Sequence, residues 1–423
     1  MNRNVSRWTA LLASSLLILG LAGCELPGSA GNDKQQNGGD SQNQTAKHIH
    51  QGTITKDEVW KKADGPHIIR GEVSVDSAQG VTVTIEPGTV VRFEEGASLW
   101  FGYNERGVLK AQGTADQPII FTSAAANPAK GDWNTIYLGN GSASTGMTPC
   151  KISYAGKSDY AALTVSGKVN TPTLQNCVIE ESAGHGIALQ NDASFKVFTG
   201  NTIKTSGENP IHLGANEVGS IGAGNTFTGN FHQALLVDGE TVDKSATWLD
   251  LGIPYRLTGE TTVESVGGPV LTIQPGSTLE FATDASLWVG HGAKGALNAV
   301  GTLQKPITFS SVGQDAGTWG GIHMYSGTIA GIDKNASTTV LEYVVISAAY
   351  NSSNNSMLHL YRANPILKNV SFTNRFGTSA AISVEGAEHE IPLKADLTGN
   401  GNSFMGKDFS SFGTAGIIYP DVD

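Results

Sequence analysis

The sequence predicts an all-β chain wound as a solenoid of parallel strands, and three observations carry that expectation. Only 15% of the 423 residues are charged and 53 are glycine, against roughly a quarter charged and about 7% glycine in an average globular chain. A long segment occurs twice. Within each copy, short alternating apolar runs are separated by Gly or Pro-Gly, and an asparagine-led strand recurs every 24 or 25 residues. Gly, Thr, Ser, Asn, Val and Ile favour short strands and tight turns. The same composition excludes a coiled coil or a disordered chain. A formal charge of −11 argues against a nucleic-acid partner, which would need a basic surface.

The chain opens with Arg3 and Arg7, then an apolar run from Trp8 to Leu21, and closes this segment on Leu21-Ala22-Gly23-Cys24. A basic start, a short apolar stretch and small residues read as an export signal, too short to span a bilayer. Its ending resembles the bacterial lipobox. That resemblance implies removal of residues 1–23 and acylation of Cys24, a multi-chain anchor that holds stably in a membrane. The membrane is therefore an expected partner. Localisation is expected at the cell envelope, and at the outer membrane in a Gram-negative host, because Glu25 rather than Asp follows the cysteine. Residues 24–52 read as the lipidated cysteine and a Gly/Asn/Gln/Ser-rich tether. His48 and His50 fall in it, too few ligands for a metal site.

Thr53–Ser123 aligns without a gap to Thr241–Ser311 at an offset of 188, with 28 of 71 positions identical. A repeat must be found before elements are assigned, and this one defines modules at 53–240 and 241–423, the second ending in a C-terminal cap from about Phe404. The N-terminal cap is expected at Thr53–Gly65, around Trp60. In the first module the strands follow in order: Val81, Val83 and Ile85; Val91 and Phe93; Leu99 and Phe101; Leu109 and Ala111; Ile119 and Phe121. Period two in runs this short means strands with one buried face. Asn176-Cys-Val-Ile, Asn201-Thr-Ile and Asn225-Thr-Phe then repeat once per coil, where stacked asparagines can satisfy one another. Pro365-Ile-Leu-Lys-Asn369 and Gly401-Asn402-Ser-Phe404 echo them.

The run LTIQPGSTLEFATDASLWVGHGAKGALNAVGTLQKPITFSS, followed by WGGIHM and LEYVVIS, resembles the right-handed parallel β-helix repeat proteins of bacterial cell envelopes, related in fold to pectate lyases. The resemblance covers about residues 53–410 and implies a right-handed, single-stranded parallel β-helix. It specifies fold far better than activity. About 15 coils would advance roughly 4.8 Å each.

Cys150 and Cys177 each stand two residues before an isoleucine, Ile152 and Ile179. Both should face inward one coil apart, within disulfide reach. An exported protein permits that bond, and a pair of buried free thiols is the alternative.

Polysaccharide lyases and hydrolases are among the proteins this resemblance points to, so their signatures bear on activity. Gly184-His185-Gly186 resembles one hydrolase element, but no Asn-Thr-Asp or Asp-Asp pair accompanies it and Thr202-Ile203-Lys204 replaces Arg-Ile-Lys. His185 reads as a turn residue before Ile187-Ala188-Leu189. Glu94-Glu95 and Glu180-Glu181 point to opposite faces as sequence neighbours and read as solvated surface. Glu388-His389-Glu390 would need a partner such as Asp396 to hold a metal. No metal or cofactor is expected, and catalysis is left without a motif.

Outward aromatics remain. Trp100, between Leu99 and Phe101, and Trp288, between Leu287 and Val289, should face out. Trp133 with Tyr137 and Trp319 with His323 form a second equivalent pair, and Tyr103 lies beside the first. Such rings can stack on the C–H faces of sugars, or can cover side loops and the module junction. The expected function is a non-catalytic surface for a glycan or an envelope protein. The alternatives are a lyase or glycoside hydrolase acting on acidic polysaccharide and a structural spacer.

Overall fold

The computed structural model describes residues 48–142, 144–314, 319–325, 339–350, 353, 355–363, 365–374, 376–377, 380–385, 400–408 and 417–418. The leader, Cys24, the segment Glu388-His389-Glu390, Asp396 and most of the expected C-terminal cap lie outside the described residues.

The regular coils of the first half contribute three strands each, here called the first, second and third faces. One coil holds Val81–Ile85, Val90–Phe93 and Ser98–Phe101, and the next holds Gly107–Gln112, Ile119–Ser123 and Ile136–Leu138. All pair in parallel with the coil before: Leu109 lies beside Val83, Phe121 beside Val91 and Ile136 beside Leu99. The chain is a right-handed parallel β-helix. Alternation buries Val81, Val83 and Ile85 and leaves Thr82 and Thr84 at the surface, so the inward side chains of all three faces fill one continuous apolar core.

The glycine excess follows from how closely the coils turn. A Cβ at Gly107 would lie 1.7 Å from the Val75 carbonyl oxygen, and one at its repeat equivalent Gly295 would lie 1.8 Å from that of Val263. No side chain fits either place.

The asparagine ladder exists, but one position differs from the sequence expectation. Val178 pairs with Thr202 and Thr202 with Thr226, which puts Cys177, not Asn176, level with Asn201 and Asn225. The Asn201 Nδ2 donates to Asn225 Oδ1 and to the Leu174 carbonyl, while the Cys177 backbone N–H donates to Asn201 Oδ1 at 2.9 Å. Asn176 instead takes the left-handed turn position at φ 54°, matched one coil on by Gly200 at φ 68°. The second half repeats the device. Asn369 has φ 51°, and Asn402 accepts from the Val370 N–H at 2.9 Å.

The first strand, His48–Ile54, pairs in parallel with His67–Val75. His48 and His50 therefore belong to the β-helix rather than to a tether. The reason is packing: the His50 ring stacks on Trp60 at 4.1 Å, covering the end of the core where Trp60 is buried.

The halves join with a change of face. Third-face strands continue from Ile211–Gly214 to Leu235–Asp238 and then to Tyr255–Leu257. Tyr255–Leu257 is the repeat equivalent of His67–Ile69, which pairs with second-face residues Val91–Phe93. The third face of the first half thus runs into the second face of the second half. The third face of the second half starts afresh at Thr241–Val242, pairs with Glu260–Val263 and proceeds to Ser286–Val289. A short 3-10 segment, Ala215–Ser220, lies at this seam.

Cys150 and Cys177 are both buried with free thiols, the Cys150 N–H donating to Cys177 Sγ at 3.3 Å. Burial pushes the Cys150 thiol up from its ordinary value. Ile119 pairs with Cys150 and its equivalent Ile307 with Val344, and Val344 pairs with Val370. Valines occupy the thiol positions in the second half.

Candidate functional site

Trp100 projects outward from Ser98–Phe101, and pairing sets Tyr137 beside it on the next coil. Their rings stack at 4.5 Å and 22°, and Tyr103 meets Trp100 edge-on at 4.8 Å. Tyr103 is 54% exposed. Gly102, at φ 62°, turns the chain out of the strand and so brings Tyr103 back over the face.

The same construction recurs in the second half. Trp288 projects from Ser286–Val289 and pairs with His323. The rings stack at 4.4 Å and 13°, His291 meets Trp288 edge-on at 4.8 Å, and Tyr325 lies parallel to Trp288 at 5.3 Å. His359 continues the column beyond His323, and Tyr361 lies 5.6 Å from Tyr325. The Trp288 indole N–H donates to Ser286 Oγ at 2.7 Å, which fixes the ring.

Three expected platform residues are buried, two of them by turning inward. Trp133 and Trp319 are fully buried, stacked on Phe93 at 3.8 Å and on Phe281 at 4.2 Å. Their indole N–H groups donate to the carbonyls of Ser153 and Ser347, both at 2.9 Å. Each tryptophan sits in the irregular turn before its strand, so strand alternation does not set its direction. His323 faces outward but is only 2% exposed, since Trp288 and His359 cover it from both sides. Burial, then the neighbouring His359 and His291, lower its pKa to about 4. It supports the platform rather than presenting a surface.

His291, Tyr325, His359 and Tyr361 were missed in the sequence. His291 is Tyr103 displaced by 188, and Tyr325 follows His323 by two in the strand alternation; both signals were present.

Two further clusters lie outside the platforms. On the first-half third face, His212 Nε2 lies 2.8 Å from Asp238 Oδ2, and the Thr258 hydroxyl donates to Asp238 Oδ1. His185, immediately before Ile187–Gln190, has its ring 5.0 Å from that of His212 and accepts from the Asn209 N–H at Nδ1. Burial holds its pKa down to about 4. At the seam, Glu217 lines a cavity of about 420 Å³ with Lys168, Asp192 and Lys244. Burial, and then its hydrogen bond with Glu240, push Glu217 up to about 8. Hydrogen-bonded carboxyls are much closer than the roughly 5 Å or more that separates the pair in a glycosidase.

The other expected surface charges are paired: Glu94 with Arg70, Glu95 with Lys157, Glu181 with Lys130, and Glu180 with both Lys151 and Lys204. Among the described residues, no group of three or more His, Cys, Asp or Glu could hold a metal ion. No described helix is long and apolar enough to cross a membrane.

No curated protein and no solved structure matches the chain. The family model of the pectate-lyase-like β-helix domain matches residues 52–173 and 239–350, which fall in the two copies of the repeat and together exceed half of the 423 residues. The chain belongs to the pectate-lyase-like β-helix family.

Proposed function

We propose that this protein is a lipid-anchored component of the bacterial cell envelope, tethered through Cys24, whose β-helix binds glycan on its outward aromatic platforms without chemically altering it. One observation carries the binding reading: the same stacked, outward aromatic cluster is built twice, at equivalent positions of the repeat. Rigid strands hold both tryptophans, so little side-chain entropy is lost on binding. Rings standing on a fixed face suit the C–H surfaces of pyranoses.

The test is a glycan array containing cellohexaose, chitohexaose, polygalacturonate and peptidoglycan fragments. Binding that weakens at least tenfold in Trp100→Ala and in Trp288→Ala is the expected result. Unchanged binding by the double variant overturns the platform reading, and release of reducing or unsaturated sugar from polygalacturonate overturns the non-catalytic reading. Anchoring is tested by Cys24→Ser, expected to shift the protein from the membrane to the soluble fraction.

A further inference from the structure

We infer that the two platforms hold two separate glycan chains, so that one molecule cross-links polysaccharide. This rests on the glycan-binding reading and adds to it a partner geometry, which the change of face at the seam supplies.

The outward column under the first platform can be followed strand by strand. From Trp100 it passes to Tyr137, Thr164, Ala188, His212, Leu236, Arg256 and Glu280. The column therefore leaves the platform, crosses Thr164, Ala188, His212 and Leu236, and reaches the Arg256–Glu280 ion pair at 2.9 Å before continuing to Ser310. Trp288 is not on it. The second platform belongs to the column Thr262, Trp288, His323, His359 and Ser383, round the corner that Ala282–Ala285 makes between the Thr278–Phe281 and Ser286–Val289 strands.

Distance reinforces direction. Trp100 and Glu280 are seven pairings apart along one column, about 34 Å at roughly 4.8 Å per strand, and Trp288 follows Glu280 within the same turn. A straight chain held against the Trp100–Tyr137 column and running along the axis never meets Trp288. Had the repeat joined in phase, both tryptophans would share one face and one chain could lie across them. The seam removes that alignment, leaving two sites that face different directions on one rigid body. Such a body gains avidity only from ligands that reach both sites. Long polymers in a mesh do so, as separate strands; hexasaccharides do not.

Native mass spectrometry of the full chain with cellohexaose and chitohexaose, paired with turbidity of the corresponding soluble polymers, tests this. The expected result is two hexasaccharides per molecule, one in Trp100→Ala, one in Trp288→Ala and none in the double variant. Polymer cross-linking should disappear in either single variant although each still binds. The exposed residues Tyr103 and His291 give a second set, Tyr103→Ala and His291→Ala, which should weaken one site each without disturbing the core. A single hexasaccharide per molecule, or cross-linking that persists in a single-site variant, overturns the two-chain geometry while leaving glycan binding intact. Undiminished hexasaccharide binding by the double tryptophan variant overturns the glycan reading itself.

Discussion

The two halves of the repeat agree inside and differ outside. Inward, Phe93 under Trp133 matches Phe281 under Trp319, and each indole N–H meets a backbone carbonyl at the same distance. Outward, Tyr103 becomes His291, Tyr137 becomes His323, and Thr164, which pairs with Tyr137, becomes His359, which pairs with His323. A close-packed interior penalises any change of volume, whereas outward positions answer only to what they meet in solution. The first platform is therefore indole and phenol beside hydroxyl, and the second is indole and phenol backed by imidazole.

The largest expected effects lie where the halves agree. Trp133→Ala and Trp319→Ala should each cost about 3–5 kcal/mol, the usual penalty for emptying a core tryptophan site, measured by denaturant unfolding. Similar losses in both halves would confirm equivalent cores. Loss of glycan binding with unchanged stability would place those rings at the surface and break the comparison.

Next comes a difference between the halves. His323 is buried and its folded pKa is lowered from 6.5 to about 4. The unfolded chain therefore takes up a proton first as pH falls, and stability declines from about pH 6.5 down to pH 4, by up to about 3 kcal/mol at 1.36 kcal/mol per unit. His50 and His185 are lowered to about 4 as well, so the informative quantity is a difference. His323→Tyr installs the residue of the first platform and should flatten the profile relative to the native chain. An unchanged profile would mean that His323 titrates freely.

These outcomes also mark what the sequence could and could not disclose. The 188-residue offset matched the strands of 53–123 to those of 241–311, because equivalent glycines such as Gly107 and Gly295 are imposed by backbone approaching backbone. It also located Trp100 and Trp288, which lie within regular alternation. Trp133 and Trp319 precede the strands Ile136–Leu138 and Ile322–Met324 rather than lying within them, so membership in an equivalent pair with Tyr137 and His323 does not set which way they face. Asn176 was misplaced for a related reason: its spacing of 25 to Asn201, against 24 onward to Asn225, already held the one-residue slip between a left-handed turn position and the ladder. The change of face at the seam leaves no trace in local pattern, since it arises from which strands pair across the junction.

The Asn201 rung should carry the next effect. It satisfies the Cys177 N–H and is itself satisfied by the Leu174 carbonyl and Asn225, so Asn201→Ala strands a buried donor and should cost about 1–3 kcal/mol. Asn402 performs the same service for Val370, and Asn402→Ala should match it. A negligible cost at both would mean that water replaces the ladder.

The smallest effect is expected at the rung beside it, where the first half carries sulfur and the second carries carbon. Val344 and Val370 occupy the positions of Cys150 and Cys177, so the same coil geometry accepts either. Cys150→Val with Cys177→Val exchanges residues of similar volume in a dry core and should cost less than about 1.5 kcal/mol. The Cys150 N–H loses its contact to Cys177 Sγ, but sulfur is a weak acceptor and little is forfeited. Thiol titration of the native chain in denaturant without reductant should count both Cys150 and Cys177. If neither reacts, the pair is a disulfide, and the valine exchange would instead cost the several kcal/mol that a cross-link contributes. The two readouts move together, and packing alone accounts for the thiols only if the titration is full and the cost small.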